Sequence, residues 1–156
     1  MFAYMFERIL VPTDGSEPSR NAAKTGIELA AAHGATVHAL YAVEPIPLGG
    51  FTAGSGPASR EFGDVVEKQR AEGQEAIDEL VAMADEHGVT VIESIGYGKP
   101  DEEILEYADE EGIDAIVMGT HGRSGVGRFV MGSVAEKVVR KSPIPVVTVR
   151  TSEEDL

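Results

Sequence analysis

Cysteine and tryptophan are absent from the 156-residue chain, and histidine occurs only four times. Without cysteine there is no disulfide framework, no thiolate zinc site and no thiol nucleophile, and the composition suits a reducing compartment. No two of the four histidines, His33, His38, His87 and His121, have metal-ligand spacing, which argues against a zinc site built by the protein. Positive charge is also scarce: 13 Lys and Arg stand against 27 Asp and Glu, a formal net charge of -14. Nucleic acid and anionic membranes both need a basic face that displaces counterions, so neither is an expected partner. No apolar run approaches the roughly 20 residues of a membrane-spanning helix. Met1 to Phe6 is apolar but meets Glu7 and Arg8 at once, with no basic region before it and no small-residue cleavage site, so no signal peptide is read. What is present is a hydrophobic content of 42%, too high for a disordered acidic chain. A chain of this length buries roughly 70% of its unfolded surface and needs no covalent staple.

Hydrophobic periodicity gives alternating strands and helices. Arg8 to Thr13 is a short apolar run ended by Asp14-Gly15-Ser16, a strand leading into a turn. Ser16 is placed to cap a helix whose Ala23, Ile27, Ala30 and Ala31 recur at helical spacing up to His33-Gly34. A second strand covers Ala35 to Val43. Residues 44–60 hold four Gly and three Pro and read as a long mobile loop. A helical pattern from about Glu61 to His87 follows, then a strand over Val89 to Gly96 and a helix opening at Pro100 with acids in its first turn. Asp114 to Gly119 is a fourth strand. Ser133-Val134-Ala135-Glu136 has the capping-box pattern of a helix start, and Pro145 to Arg150 is the last strand. Continuous Val, Ile and Ala runs are what strands covered on both faces require, so the expectation is α/β: one domain, residues 1–156, with a doubly wound parallel sheet, a core of about 6–150 and an acidic tail at 151–156.

In an open α/β sheet, ligands bind at the carboxyl ends of strands where the strand order reverses. Two strand ends carry unusual residues: Pro12-Thr13-Asp14-Gly15-Ser16, and the 15 residues from Gly119 to Ser133, with five Gly and two Arg, ending on a helix start. Glycines let backbone N–H groups approach an anion, and a helix N-terminus supplies free donors and partial positive charge, so the stretch is suited to phosphate. A Walker A loop is excluded, because the sole Gly-Lys, Gly98-Lys99, is followed by Pro100. The Rossmann fingerprint fails at Val130 after Gly125-Val126-Gly127 and at Asp101 after Gly96-Tyr97-Gly98.

The pattern that fits is G-x2-G-x9-G-[ST], met by Gly119, Gly122, Gly132 and Ser133. It resembles the nucleotide-binding signature of the universal stress protein family, ATP-binding subgroup. ILVPTDGSEPS, IDAIVMGTHGRSG and GSVAEKVVRKSPIPVVTVR resemble that family's first strand and turn, fourth strand and loop, and closing helix and strand. The resemblance spans about residues 6–150 and implies a flavodoxin- or Rossmann-like sheet of order 3-2-1-4-5. It implies ATP, with Mg2+, as ligand: Asp14 on the ribose or the Mg2+; Pro12, Thr13 and Val43 around adenine, with Met118 also in the nucleotide site; Gly119, Gly122, Arg123, Gly132, Ser133 and Val134 on ribose and phosphates. It implies a cytoplasmic homodimer joined through Val146 to Val149, acting as a nucleotide-dependent regulatory or protective module in the stress response. Two alternatives stay open: a slow ATPase or autophosphorylating enzyme with Ser124 or Ser133 as acceptor, and a dimeric interaction module without nucleotide.

Other roles compete for the same residues. The glycines can serve turn geometry, Asp14 an Asx-turn, and Ser133 a helix cap. His33 and His87 read as structural, His38 has no visible partner, and His121 lies within reach of a phosphate. The charge is uneven: residues 61–114 hold 18 acids and 3 bases, whereas 115–152 hold 1 acid and 6 bases. An anionic ligand is thus compatible with an anionic chain, and the acidic surface fits adaptation to high salt.

Overall fold

In the computed structural model, which describes residues 6–44, 56–121 and 131–150, strands and helices alternate along the chain. They are β1 (Arg8–Pro12), α1 (Glu17–His33), β2 (Thr36–Val43), α2 (Gly56–Glu86), β3 (Val91–Tyr97), α3 (Pro100–Glu110), β4 (Ala115–Gly119), α4 (Ser133–Lys141) and β5 (Val146–Val149). All pairings are parallel and the sheet order is β3-β2-β1-β4-β5, the expected order.

The apolar runs explain the layering. Ile9, Leu10 and Val11 are wholly buried, as are Ile116 and Val117, because the central strands are covered on both faces. Alternation then sorts their side chains. Ile9 and Val11 pack with Ala23, Ile27 and Ala30 of α1 and Ile77, Leu80 and Ala84 of α2. Leu10, Leu40 and Ile116 pack with Ile104 and Ala108 of α3 and Ala135 and Val138 of α4. Helices α1 and α2 therefore cover one face, α3 and α4 the other.

The caps show how local chemistry sets the boundaries. Ser16 is the N-cap of α1 and its hydroxyl accepts from the Ser19 N–H, as its type and position predict. Two boundaries differ from expectation. Helix α2 begins at Gly56, so residues 56–60 are helical rather than loop; Pro57 is tolerated because first-turn N–H groups have no intrahelical acceptor to lose. Residues 45–55 of the expected loop lie outside the described residues, as does the tail at 151–156. Ser133 does not cap α4: the N-cap is Gly132, with no side-chain cap bond. The Gly132 N–H is drawn onto the Thr120 C=O at 2.6 Å, which leaves Ser133 as the first helical residue. Glu136, the capping-box partner by sequence, pairs with Arg140 at 3.1 Å instead.

One close approach matters for the site. A Cβ on Gly73 of α2 would lie 2.4–2.8 Å from three ring carbons of Tyr41, so the missing side chain lets α2 rest on that ring at the end of β2.

Candidate functional site

At the carboxyl end of the sheet, across the point where the order reverses between β1 and β4, lies a cavity of about 460 Å³. Its volume is in the range of small-molecule sites. Both strand ends singled out by sequence contribute: Pro12, Thr13 and Asp14 from β1, and Met118 and Gly119 from β4, with Gly132, Ser133 and Val134 from the start of α4. Gly122 and Arg123 lie outside the described residues.

The turn after β1 is held by its own side chains. Asp14 Oδ1 accepts from the Ser16 N–H at 2.9 Å, so the Asx-turn is formed. Ser19 Oγ donates to the Ser16 C=O at 2.9 Å, which commits its proton and makes Thr13 Oγ1 the donor in their 3.1 Å contact. Thr13 Oγ1 in turn accepts from the Gly15 N–H at 3.2 Å. This chain of hydroxyls rigidifies one wall, and Ser19 is buried within it.

Across the cavity, Thr120 joins three elements. Its N–H donates to the Val149 C=O of β5 at 3.1 Å, its C=O accepts from Gly132, and its hydroxyl lies 3.1 Å from His121 Nδ1. The N-terminus of α4 thus meets the cavity, and Ser133 lines it without making a side-chain cap bond. Free N–H groups and the positive dipole end give this wall the chemistry that suits an anion. The glycine here is not a matter of turn geometry. Gly119 does not have a positive φ, but a Cβ on it would sit 3.0 Å from the Pro18 carbonyl oxygen, so glycine lets the end of β4 pass the start of α1.

The third wall is the end of β2, and here the structure corrects the sequence. Val43 does not line the cavity. Its side chain is buried in the α1/α2 core, and its C=O accepts from the Gly98 N–H on the β3 side. Ala42 lines the wall instead. In a parallel ladder, alternate residues direct their N–H and C=O to opposite neighbours. The Leu40 C=O faces β1 and takes the Thr13 N–H at 2.9 Å, so the N–H and C=O of Ala42 face the same side. There β1 has already ended, its last paired residue being Pro12 opposite Leu40. Ala42 thus presents a backbone donor and acceptor into the crevice, flanked by Pro12, Leu40, Met118 and Ile104.

Sequence reasoning also missed Glu44 and Gln69 at this end, Pro100 and Ile104 from α3, and Ser19 and Thr120, while His121, which the sequence set near a phosphate, does line the cavity. Thr120 and Ala42 were discoverable from the strand-end rule. Gln69 carried no signal, being one polar residue in an amphipathic helix. The charged groups lining the cavity among the described residues are Asp14 and Glu44. No described group of three His, Asp or Glu could hold a metal ion, so a cation here would rest on Asp14 and on oxygens brought by its ligand.

Below the floor, His38 on β2 is 3% exposed and its Nδ1 lies 2.7 Å from the Tyr107 hydroxyl of α3, the partner that sequence did not reveal. Its buried Nε2 has no hydrogen-bond partner among the described residues. Burial pushes His38 below its ordinary value; Glu111 opposes this and Arg8 adds to it.

The fold that builds this cavity, a parallel sheet of order β3-β2-β1-β4-β5 with alternating helices, has counterparts among known proteins. The model of the universal stress protein family matches residues 5–150. The chain belongs to this family. Among its relatives, universal stress protein MJ0531 of Methanocaldococcus jannaschii is 37% identical over 151 residues, covering 97% of this chain and 86% of the relative. The solved structure of MJ0577 from the same organism superposes with a TM-score of 0.81 at 28% identity, covering 96% of this chain and 99% of that one. A family member crystallised in complex with cAMP superposes with a TM-score of 0.66 at 27% identity, covering 94% of this chain and 98% of its own. Among the described residues no helix is long and apolar enough to cross a membrane.

Proposed function

We propose that this universal stress protein binds an adenine nucleotide, ATP with Mg2+, and serves as a nucleotide-dependent regulatory or protective module in the stress response. The observation that carries the reading is the opposition of two backbone sites in one cavity: the donor and acceptor of Ala42 at one end and the α4 N-terminus at the other. An N–H beside a C=O complements the N1 acceptor and N6 donor of adenine and places like groups against the 6-oxo edge of guanine. The helix end, Ser133 and the glycine spacing suit phosphate, and Asp14 stands where a ribose hydroxyl or phosphate-borne Mg2+ would meet a carboxylate. Gly122 and Arg123 would add phosphate contacts. The relative crystallised with cAMP supports the adenine part of this reading.

The test is nucleotide analysis of heat-released extract from purified protein, followed by calorimetric titration with ATP, ADP and AMP in MgCl2. Binding tighter than millimolar is expected; absence of bound nucleotide together with millimolar or weaker affinity for all three would remove the function.

We further propose that the chain is a homodimer joined through β5, whose four residues are half-buried at the open sheet edge, a strand left wanting a neighbour. A second reading, slow autophosphorylation, is favoured by one observation, that Ser133 lines the cavity without making a side-chain cap bond. A mass gain of one phosphoryl group on incubation with ATP, lost in Ser133→Ala, would establish it.

A further inference from the structure

We infer that Gln69 of α2 is a specificity-determining residue, reading the N6 and N7 positions of adenine beside the Ala42 backbone. The inference rests on the adenine reading proposed above and assigns a side chain to it.

The N–H and C=O of Ala42 face the crevice, and the next backbone group on that side is the N–H of Glu44. Gln69 Oε1 accepts from that N–H at 3.0 Å, which fixes the carboxamide at the crevice beside Ala42. Both Gln69 and Glu44 line the cavity. Gln69 reaches this place because Gly73, one turn along α2, has no side chain to hold the helix off Tyr41.

The carboxamide has capacity left. Oε1 carries a second lone pair, and Nε2, with two donors, makes no hydrogen bond among the described residues. Ordered along the strand, the groups are donor (Ala42 N–H), acceptor (Ala42 C=O), acceptor (Oε1) and donor (Nε2). Adenine presents the complement in the same order: N1 accepts, the N6 amino group gives two protons, and N7 accepts. Bidentate pairing of a glutamine with N6 and N7 is the usual side-chain solution for this edge. A 6-oxopurine would bring its oxygen against two acceptors at once.

The experiment compares ATP with 7-deaza-ATP, which lacks the N7 acceptor, by calorimetric titration in MgCl2 with wild type, Gln69→Leu and Gln69→Glu. Thermal unfolding of each variant reports folding. Wild type should bind 7-deaza-ATP about three- to tenfold more weakly than ATP, the value of one neutral hydrogen bond. Both variants lack the Nε2 donor and should lose the 7-deaza penalty, Gln69→Leu by indifference and Gln69→Glu by favouring 7-deaza-ATP, whose C–H spares the carboxylate the N7 lone pair; Gln69→Glu keeps the acceptor for Glu44 N–H and serves if Gln69→Leu fails to fold. Equal affinities in wild type, or a 7-deaza penalty that persists in either folded variant, would overturn the assignment while leaving ATP binding intact. Failure of wild type to bind ATP would overturn both.

Discussion

Gly119→Ala adds one methyl group at the meeting point of β4, α1 and the cavity. The new carbon would lie 3.0 Å from the Pro18 carbonyl oxygen, 3.2 Å from its carbonyl carbon and 3.4 Å from the His121 carbonyl oxygen. These neighbours are backbone. They cannot rotate aside as a side chain would, and relief requires α1 and β4 to separate by a few tenths of an ångström. Overpacking of this kind costs about 1–3 kcal/mol, which for a chain of this size lowers Tm by about 2–12 °C. The same separation moves the Asp14 turn away from the α4 N-terminus, so nucleotide affinity should fall as well. Gly63→Ala is the control: it sits inside α2 with nothing within 4 Å of its added Cβ, and it should be neutral or stabilise by about 0.5–1 kcal/mol through helix propensity. Both variants are followed by thermal unfolding, urea unfolding and ATP titration. An unchanged Tm for Gly119→Ala would refute the packing argument, and a lowered Tm with unchanged affinity would confine that glycine to packing.

Three further outcomes are expected. Burial holds His38 below its ordinary value of 6.5, so as pH falls the unfolded chain takes up that proton first; the stability from neutral His38 is full above about pH 6.5 and is lost below it. Urea midpoints of wild type should therefore drop more than those of His38→Gln between pH 7.5 and 5.5, and parallel profiles would contradict this. With 18 acids against 3 bases in residues 61–114, self-repulsion should ease as the Debye length shrinks from about 30 Å at 0.01 M to about 3 Å at 1 M salt, raising Tm in KCl; a flat or falling Tm would reject it. Val147→Arg on β5 should give monomers in sedimentation velocity where wild type gives dimers, and a dimer in the variant would move the interface elsewhere.

The sheet was legible because its central strands β1 and β4 are apolar runs and its joints are marked by glycine, and the helices because Ile27, Ile77 and Ile104 each anchor a stripe that recurs at helical spacing. The start of α2 was less legible. Gly56 and Pro57 look like loop residues, yet a first turn loses nothing by a proline, so composition alone placed the boundary five residues late. Ser133 misled for the opposite reason. Its type favours a cap, but the tertiary bond from Gly132 to Thr120 shifts the helix start by one residue and leaves Ser133 lining the cavity.

The same one-residue sensitivity governs the ligand wall. Val43 and Ala42 are neighbours in one strand, and no apolar pattern distinguishes which of them meets a ligand, because both are small and both lie in a buried run. What distinguishes them is where β1 stops. A strand ending at Pro12 removes the hydrogen-bond partners of the residue two places beyond Leu40, while β3 continues to Tyr97 and keeps Val43 occupied through Gly98. A site made of main-chain groups is therefore defined by strand lengths relative to one another, which sequence yields only to within a residue or two. That is also why Gln69 escaped notice: it matters because it satisfies the next exposed N–H along β2, a vacancy that exists only once the sheet register is fixed.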